Sequence, residues 1–210
     1  MFDLDGVLVD SMAAVRAQWI AWGAQHGVPR EDLLAALHMT GEDLVRRFAP
    51  QLDPAREARS IAAVQAAAET EIHAYDGARE LVAALPRERW AVVTSALRVL
   101  ALRHLALAAL PLPSVLIAAD ETPRGKPDPS GYLLAAARLR FAPSACVAIE
   151  DAPAGMAAAR AAGMTVVGVA STHAPAELDA AATVVDRLGD LAIALVEDGI
   201  ELRTGGRTIR

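Results

Sequence analysis

Short apolar runs alternate with segments of helical periodicity through the second half of the chain. The runs, almost free of polar side chains, are 90–94, 115–118, 146–150, 166–169 and 183–185. Helical spacing is found before or between them over 77–85, 98–109, 129–139 and 153–162. Strands that are apolar on both faces are typical of a parallel sheet covered by helices on each side. The pattern therefore predicts an α/β fold with a buried parallel sheet and helices on both faces.

The chain before residue 76 has a different pattern. Residues 1–4 are predicted to form a short buried strand, and helical spacing follows it. Glycine, proline and Asp-Pro signals divide this stretch into four helices, the last over 54–73. Four helices in succession predict an all-helical domain at 12–75, inserted after the first strand. The remaining residues, 1–11 and 76–210, would form the sheet domain.

The last part of the chain is predicted to close the fold with a helix and a loose tail. After the run at 183–185, the sequence predicts a helix over 188–196. The tail from Asp198 to Arg210 is rich in polar residues, so we expect it to be loosely held.

Composition excludes several classes of protein. The chain has 210 residues, a formal net charge of −6 and no cluster of basic residues, which argues against a nucleic-acid partner. No apolar run reaches the ~20 residues that a membrane-spanning helix needs. The single cysteine, Cys146, excludes an internal disulfide and fits a reducing compartment. We therefore expect a cytoplasmic protein, and we expect it to be a monomer.

Two aspartates at the end of the first predicted strand form the first candidate site. Asp3 and Asp5 are two residues apart, so in an extended chain their side chains project to the same side. Gly6 then allows a sharp turn. A compact group of carboxylate oxygens suits Mg²⁺. The alternative is an acidic turn after an edge strand, because Asp and Gly are ordinary turn residues.

Polar residues also follow later strands of the predicted sheet. They are Thr94, Ser95, Lys126, Glu150 and Asp151. Ligands of open parallel sheets bind beyond the carboxyl ends of the strands, where all of these residues would meet. Taken alone, Thr94 and Ser95 could cap the next helix, and Glu150 with Asp151 could form an acidic turn. Their shared placement favours a functional site.

Lys126 is the one lysine among the 20 basic residues of the chain. A lysine carries a compact point charge and an arginine a planar fork, so the two do not replace each other at a tight phosphate site. The lone lysine therefore points to such a site. The alternative is an accident of an arginine-rich composition.

The order of these residues resembles the four motifs of the haloacid dehalogenase superfamily. The matching segments are Asp3–Ser11, Thr94, Gly125–Pro129 and Glu150–Gly155. The chain is most similar to phosphatases with a helical, C1-type cap that act on sugar or polyol phosphates, such as glycerol phosphate and hexitol phosphate. The resemblance implies a Rossmann-like catalytic core at 1–11 and 76–210, with a cap domain at 12–75. Ala96 departs from the glycine of many members, which would shift the phosphate loop slightly.

The resemblance also implies a role for each residue. Asp3 would be the nucleophile that forms an aspartyl-phosphate, and Asp5 would be the general acid and base. Thr94 and Lys126 would complete the catalytic set. Mg²⁺ would be bound by Asp3, Asp5, Glu150 and Asp151. The phosphoryl group would be bound by Asp3, Leu4, Asp5, Thr94, Ser95 and Lys126. Because the family's first strand normally begins several residues earlier, the native start is expected upstream of Met1.

Substrate choice is expected to depend on the cap, because the core contacts only the phosphoryl group. His38, at the turn between two predicted helices, and Arg46 are the candidates for contact with a small phosphorylated sugar or polyol. Alternatively, His38 is a residue at a helix end and Arg46 lies on a solvated face.

Three functions remain open at this stage. The first is a Mg²⁺-dependent phosphatase of small phosphorylated sugars or polyols. The second is a sugar phosphomutase similar to β-phosphoglucomutase, which uses the same aspartates but returns the phosphoryl group to a sugar. The third is a non-enzymatic phosphate-binding module. The resemblance to the phosphatases favours the first, and the presence of every catalytic group argues against the third.

Overall fold

Four helices enclosed between two short strands make up the first part of the fold. The computed structural model describes residues 1–37, 39–68, 71–197 and 199–209. The first elements in chain order are β1 (Val9–Asp10), α1 (Met12–His26), α2 (Arg30–Ala36), α3 (Gly41–Phe48), α4 (Pro54–Ala67) and β2 (His73–Ala74). We refer to residues 12–67 as the helical segment. The expected succession of four helices is present, and its division from the rest as a separate cap domain stays a prediction.

The helical segment begins and ends at one antiparallel ribbon. Val9 pairs with Ala74, and Asp10 pairs with His73. The predicted last helix, 54–73, is therefore too long, because α4 ends at Ala67 and His73 is already paired in the ribbon. Capping explains where α4 begins, since the Asp53 side chain accepts a hydrogen bond of 3.0 Å from the Arg56 N–H and proline occupies the first helical turn.

The helical segment has an apolar core of its own. Trp19 and Trp22 meet edge to face with their ring centroids 5.3 Å apart. Leu33, Leu44 and Val45 are almost fully buried beside them. Burying a large apolar side chain stabilises a fold by about 1.5–3 kcal/mol. Together with Ile61 of α4, these side chains pack the four helices against one another.

A parallel sheet organises the rest of the molecule. Its elements in chain order are α5 (Ala78–Ala83), β3 (Ala91–Val93), α6 (Arg98–Leu107), β4 (Val115–Ile117), α7 (Ser130–Leu139), β5 (Val147–Glu150), α8 (Pro153–Ala161), β6 (Thr165–Val169) and β7 (Thr183–Val185). β3 pairs with β4, β5 with β6, and β6 with β7, all in parallel. The predicted α/β fold is confirmed.

The N-terminal residues join the two halves of this sheet. Phe2 bridges Val92 on one side and Ile149 on the other, both in parallel. The Phe2 N–H donates to the Ala91 carbonyl at 2.9 Å, and the Ile149 N–H donates to the Met1 carbonyl at 2.9 Å. The strand order is therefore β4-β3-(1–3)-β5-β6-β7, with Asp3 leaving from the centre of the sheet.

Helices cover both faces of the sheet, as the apolar strands predict. On one face, α5 and α6 contribute Leu81, Ala101 and Leu105 to the larger apolar cluster. On the other face, α7 and α8 contribute Tyr132 and Met156 to a second cluster. The strands are buried from both sides, so the reactive groups are left at the ends of the strands.

The C-terminal end differs from the sequence-based expectation. It forms an antiparallel meander of β8 (Leu191–Val196), β9 (Gly199–Thr204) and β10 (Arg207–Ile209). The predicted helix at 188–196 and the loose tail after it were both wrong. Gly205 and Gly206, each with positive φ, form the two-residue turn between β9 and β10. Leu191, Leu202 and Ile209 pack into the larger apolar cluster and fix the meander to the sheet.

Candidate active site

The site lies where the strands of the parallel sheet end. The Asp3 N–H donates to the Ile149 carbonyl at 3.0 Å, which places Asp3 beside the last residue of β5. Gly6 turns the chain away with a φ of 99°. A Cβ at Gly6 would lie 2.2 Å from Oδ2 of Asp151, so both the turn and the close approach require glycine here.

Three carboxylates converge at this point. One oxygen each of Asp3, Glu150 and Asp151 lie within 4.8 Å of one another. All three residues are buried, with 7%, 1% and 4% of their surfaces exposed. Gly155, in the first turns of α8, leaves the space for Glu150, because a Cβ there would lie 2.1 Å from that carboxylate.

Lys126 is the cation within this group. Its Nζ lies 2.6 Å from Oδ1 of Asp3 and 2.6 Å from Oε1 of Glu150. The Tyr132 hydroxyl donates to the same Glu150 oxygen. One ammonium cannot offset three buried carboxylates, and hard oxygen donors of this kind match a divalent cation. The donor set therefore fits a bound metal ion.

The crowding shifts the pKa values of the cluster. Burial is the largest cause of the raised pKa of Asp3, and the neighbouring Glu150, Asp151 and Asp5 add to it against the opposing effect of Lys126. Burial and the charge of Glu150 raise the pKa of Asp151 to about 7. For Lys126, burial acts to lower the pKa, but Asp3 and Glu150 outweigh it and raise the pKa. The carboxylates repel one another in a way that a cation between them would relieve.

Asp5 lies in a separate set of hydrogen bonds. Its Oδ1 accepts from the Ser11 hydroxyl and lies 2.7 Å from Nδ1 of His104. Its Oδ2 accepts from the Thr94 hydroxyl at 3.3 Å. Burial acts to raise the pKa of Asp5, but the hydrogen bonds and charge of His104, together with Ser11 and Thr94, lower it below its usual value. Within the part of the chain that the structure describes, the Asp5 carboxylate is not a member of the three-carboxylate cluster.

Loops hold the remaining side chains in place. The Thr172 hydroxyl donates to Oδ2 of Asp151, and the Ser171 hydroxyl donates to the Gly6 carbonyl. The Thr94 hydroxyl accepts from the Ala96 N–H at 3.1 Å. Thr94 therefore bonds both to Asp5 and to the backbone of its own loop, which fixes its orientation.

These groups open into one cavity of about 380 Å³. Its polar side, which we call the sheet edge, comprises Asp3, Asp5, Thr94, Ser95, Lys126, Glu150 and Asp151. The lining that comes from the helical segment, which we call the helical wall, comprises Met12, Val15, Arg16, Trp19, Leu34, Ala35, Leu37, Met39, Gly41, Ala58, Ile61, Ala62 and Gln65. A small molecule in the cavity would therefore contact the carboxylates at one end and mostly apolar side chains at the other.

The structure gathers most of the residues that the sequence analysis selected. Seven of them form the sheet edge. The Leu4 side chain is fully buried, and its carbonyl accepts from the Leu8 and Val9 N–H groups. Its predicted contact with the phosphoryl group stays a prediction. His38 lies outside the described residues. Arg46 is exposed on α3, pairs with Asp43 and Glu42, and is not among the described residues that line the cavity.

Sequence reasoning missed several residues of the site. Thr172 follows β6, so the rule that placed Thr94 and Glu150 at strand ends could have found it. His104 lies inside α6, and Gln65 lies inside α4. Nothing in their local sequence marks a polar residue on a buried helix face as part of a distant site.

The chain is similar to known phosphatases over most of its length. Residues 1–163 match the haloacid dehalogenase-like hydrolase family. Hexitol phosphatase A of Escherichia coli strain K12 is 39% identical over 185 residues, covering 84% of this chain and 83% of that protein. Validoxylamine A 7'-phosphate phosphatase of Streptomyces hygroscopicus subsp. limoneus is 38% identical over 194 residues, covering 82% and 85%.

Solved structures agree with this assignment. A hydrolase from Pseudomonas syringae superposes with a TM-score of 0.80 at 27% identity, covering 90% of this chain and 93% of that one. β-Phosphoglucomutase from Clostridium difficile superposes with a TM-score of 0.78 at 22% identity, covering 91% of each, which shows a shared fold. The resemblance seen in the motifs is confirmed, and the chain belongs to the haloacid dehalogenase-like hydrolase family.

Proposed function

We propose that the protein is a Mg²⁺-dependent phosphatase that releases phosphate from small phosphorylated sugars or polyols through an aspartyl-phosphate. The observation that carries the proposal is the separation of the two aspartates. Asp3 lies in the carboxylate cluster beside Lys126, whereas Asp5 is held apart by Ser11, Thr94 and His104. This separation supports attack on phosphorus by Asp3 and proton transfer by Asp5.

The carboxylates of Asp3, Glu150 and Asp151 would hold the Mg²⁺ ion. When bound, Mg²⁺ supplies positive charge that stabilises the phosphoryl oxygens during transfer. The assignment of Asp5 as a further carboxylate ligand remains untested, and its side-chain partners support the proton-transfer role. The metal itself is a proposal that rests on the chemistry of the cluster.

The first half of the reaction forms the aspartyl-phosphate. A carboxylate oxygen of Asp3 attacks phosphorus in line with the ester oxygen, and the bond from phosphorus to that oxygen breaks. The negative charge of the bound phosphoryl group favours the protonated form of Asp5, which gives its proton to the departing alkoxide and becomes a carboxylate. Lys126 holds the attacking carboxylate at 2.6 Å and offsets charge on the phosphoryl oxygens, while Thr94 and the backbone of its loop bind them.

The second half releases phosphate. Asp5, now deprotonated, takes a proton from a water molecule, and the water oxygen attacks the phosphorus of the aspartyl-phosphate. The bond between phosphorus and the Asp3 oxygen breaks, so Asp3 is regenerated. His104 is a positioning residue in both halves, because its Nδ1 holds the Asp5 carboxylate in place at 2.7 Å.

Relatives support phosphorylated sugars and polyols as the substrate class. Curated relatives include hexitol phosphatase A, two glycerol-1-phosphate phosphohydrolases and two 2-deoxyglucose-6-phosphate phosphatases. The cavity of about 380 Å³ is at the lower end of the usual range for small-molecule sites, ~300–1,000 Å³. It suits a compact substrate.

A panel of phosphate esters tests the proposal. Sorbitol 6-phosphate, glycerol 1-phosphate, glucose 1-phosphate and p-nitrophenyl phosphate are incubated with Mg²⁺ or with EDTA, and both free phosphate and isomerised sugar phosphate are measured. We expect Mg²⁺-dependent phosphate release that is fastest with a polyol or sugar phosphate. Isomerised product without phosphate release would replace the phosphatase by a mutase. If no ester is turned over, the result would favour a non-enzymatic phosphate-binding module.

A further inference from the structure

Two buried nitrogen atoms lack hydrogen-bond partners, and both belong to residues that line the cavity. Among the residues that the structure describes, the buried side-chain polar atoms without a partner are Nε2 of Gln65 and Nε2 of His104. The other ring nitrogen of His104 is bonded to Asp5. Gln65 is 8% exposed.

Gln65 breaks the apolar pattern of its helix. The buried face of α4 consists of Ala58, Ile61, Ala62 and Gln65, which follow the spacing i, i+3, i+4 and i+7. An apolar residue at the last position would continue the face. Leaving a buried donor unpaired costs about 1–3 kcal/mol, so glutamine is a poor choice for stability here.

The neighbours of Gln65 do not explain its polarity. The helical wall is otherwise built from apolar side chains and Gly41, with the exception of Arg16, which is exposed. Gln65 is therefore the one buried uncharged amide that the described helical wall offers to a molecule in the cavity. The carboxylates and Lys126 line the same cavity at the sheet edge and would hold the phosphoryl end.

We propose that the side-chain amide of Gln65 hydrogen-bonds a hydroxyl group on the carbon chain of the substrate. Gln65 then selects phosphate esters with a polyhydroxylated chain over esters of the same length without hydroxyl groups. An amide both donates and accepts, so it suits a hydroxyl, which does the same. The inference rests on the proposed phosphatase function and adds a determinant of substrate choice to it.

A cycle of two variants and two substrates tests the proposal. Gln65→Met keeps an unbranched side chain of similar length and removes the amide. Gln25→Met is the control, because Gln25 is exposed on α1 and does not line the cavity. The substrates are sorbitol 6-phosphate and hexyl phosphate, which have the same carbon count and differ in their hydroxyl groups. p-Nitrophenyl phosphate replaces hexyl phosphate if wild-type turnover of the latter is too slow to measure.

We expect Gln65→Met to lower kcat/KM for sorbitol 6-phosphate about ten- to a hundredfold, the scale of one lost hydrogen bond to a buried group. Turnover of the hydroxyl-free ester should stay within twofold of wild type, and the control should change neither. The thermal midpoint of Gln65→Met should be equal to or above that of wild type, because an unpaired amide has been removed.

Two results would overturn the inference. Equal losses on both substrates would give Gln65 a structural role, and no loss on either would mean that it does not contact the substrate. If Gln65→Met fails to fold, Gln65→Glu takes its place, because glutamate keeps the length and a hydrogen-bond acceptor. The ratio of kcat/KM for the two substrates is then measured for Gln65→Glu. If the wild-type protein hydrolyses no ester, the phosphatase function itself is contradicted. If it hydrolyses both esters without selectivity, only the role of Gln65 is contradicted.

Discussion

The sheet edge and the helical wall line one cavity and differ in how their polar groups are satisfied. At the sheet edge, Lys126 joins Asp3 to Glu150, and Asp5 has three partners. On the helical wall the side chains are mostly apolar, and the amide of Gln65 has an unpaired nitrogen. The sheet edge holds its charged groups in place before any substrate binds, whereas the helical wall has a buried amide nitrogen without a hydrogen-bond partner among the described residues.

We expect catalysis and substrate selection to depend on different parts of the cavity. Charged groups that act on phosphorus gain from being fixed in advance, since no reorganisation is then needed during the reaction. Groups that select the rest of the substrate act only through differences in affinity between substrates. Changes at the sheet edge should therefore affect all esters alike, and changes on the helical wall should separate them.

The largest effect is expected for Asp3→Asn. An amide is a poor nucleophile, so phosphate release should fall by about a thousandfold or more on every substrate. The change removes one of three crowded carboxylates, and circular dichroism should show an intact fold. Phosphate release is measured on sorbitol 6-phosphate and p-nitrophenyl phosphate. Turnover within tenfold of wild type on either would reject Asp3 as the nucleophile.

Lys126→Arg should be nearly as damaging as Lys126→Ala, with kcat lowered about a hundredfold for both. The ammonium is buried between two carboxylates at 2.6 Å each, and a planar guanidinium is too wide for that space. The value of kcat is measured on sorbitol 6-phosphate and p-nitrophenyl phosphate, and each variant should lose a similar factor on both. A fully active Lys126→Arg protein would mean that the lone lysine is an accident of composition.

His104→Leu should affect esters according to their leaving groups. Without the bond to Asp5, proton delivery to an alkoxide should slow about ten- to a hundredfold, while p-nitrophenolate leaves without a proton. The first-turnover release of each alcohol isolates this step from hydrolysis of the aspartyl-phosphate. His104→Asn, whose amide nitrogen can lie near the position of Nδ1, should recover part of the rate. Equal loss with both leaving groups and no recovery would make His104 a packing residue.

The smallest effect is expected for Arg46→Ala. Arg46 is exposed on α3 and forms ion pairs with Asp43 and Glu42, which at a surface are worth about 0–1 kcal/mol. Steady-state kinetics should therefore change less than twofold on every ester. A loss confined to sorbitol 6-phosphate would instead support the sequence-based assignment of Arg46 to substrate contact, and would show that α3 moves toward the cavity.

The sheet edge was largely predictable, and the helical wall was not. Asp3, Thr94 and Glu150 each follow a run of apolar residues, so their shared position can be deduced from the strands alone. His104 meets Asp5 across 99 positions of sequence, and this contact depends on how α6 packs against the sheet. Gln65 depends in the same way on how α4 lies above the cavity. No local pattern carries that information.

The C-terminal meander shows a different kind of error. Ile200 and Leu202 alternate with polar residues in β9, and two glycines separate Thr204 from Arg207, which together are the usual signals of a hairpin. The signal was present, but the apolar residues of 188–196 also fit helical spacing. In a short apolar segment the two periods overlap, and the pairing partner decides between them.

The ribbon formed by β1 and β2 has a consequence for how this enzyme could be altered. Because Val9 lies opposite Ala74, the chain leaves the sheet and returns to it at neighbouring positions, about 4.5–5.5 Å apart between Cα atoms. An insertion whose two ends are adjacent can be exchanged without moving the elements that flank it. The four helices could therefore be replaced by those of a relative joined at the same two strands, transplanting a substrate preference onto an unchanged catalytic centre.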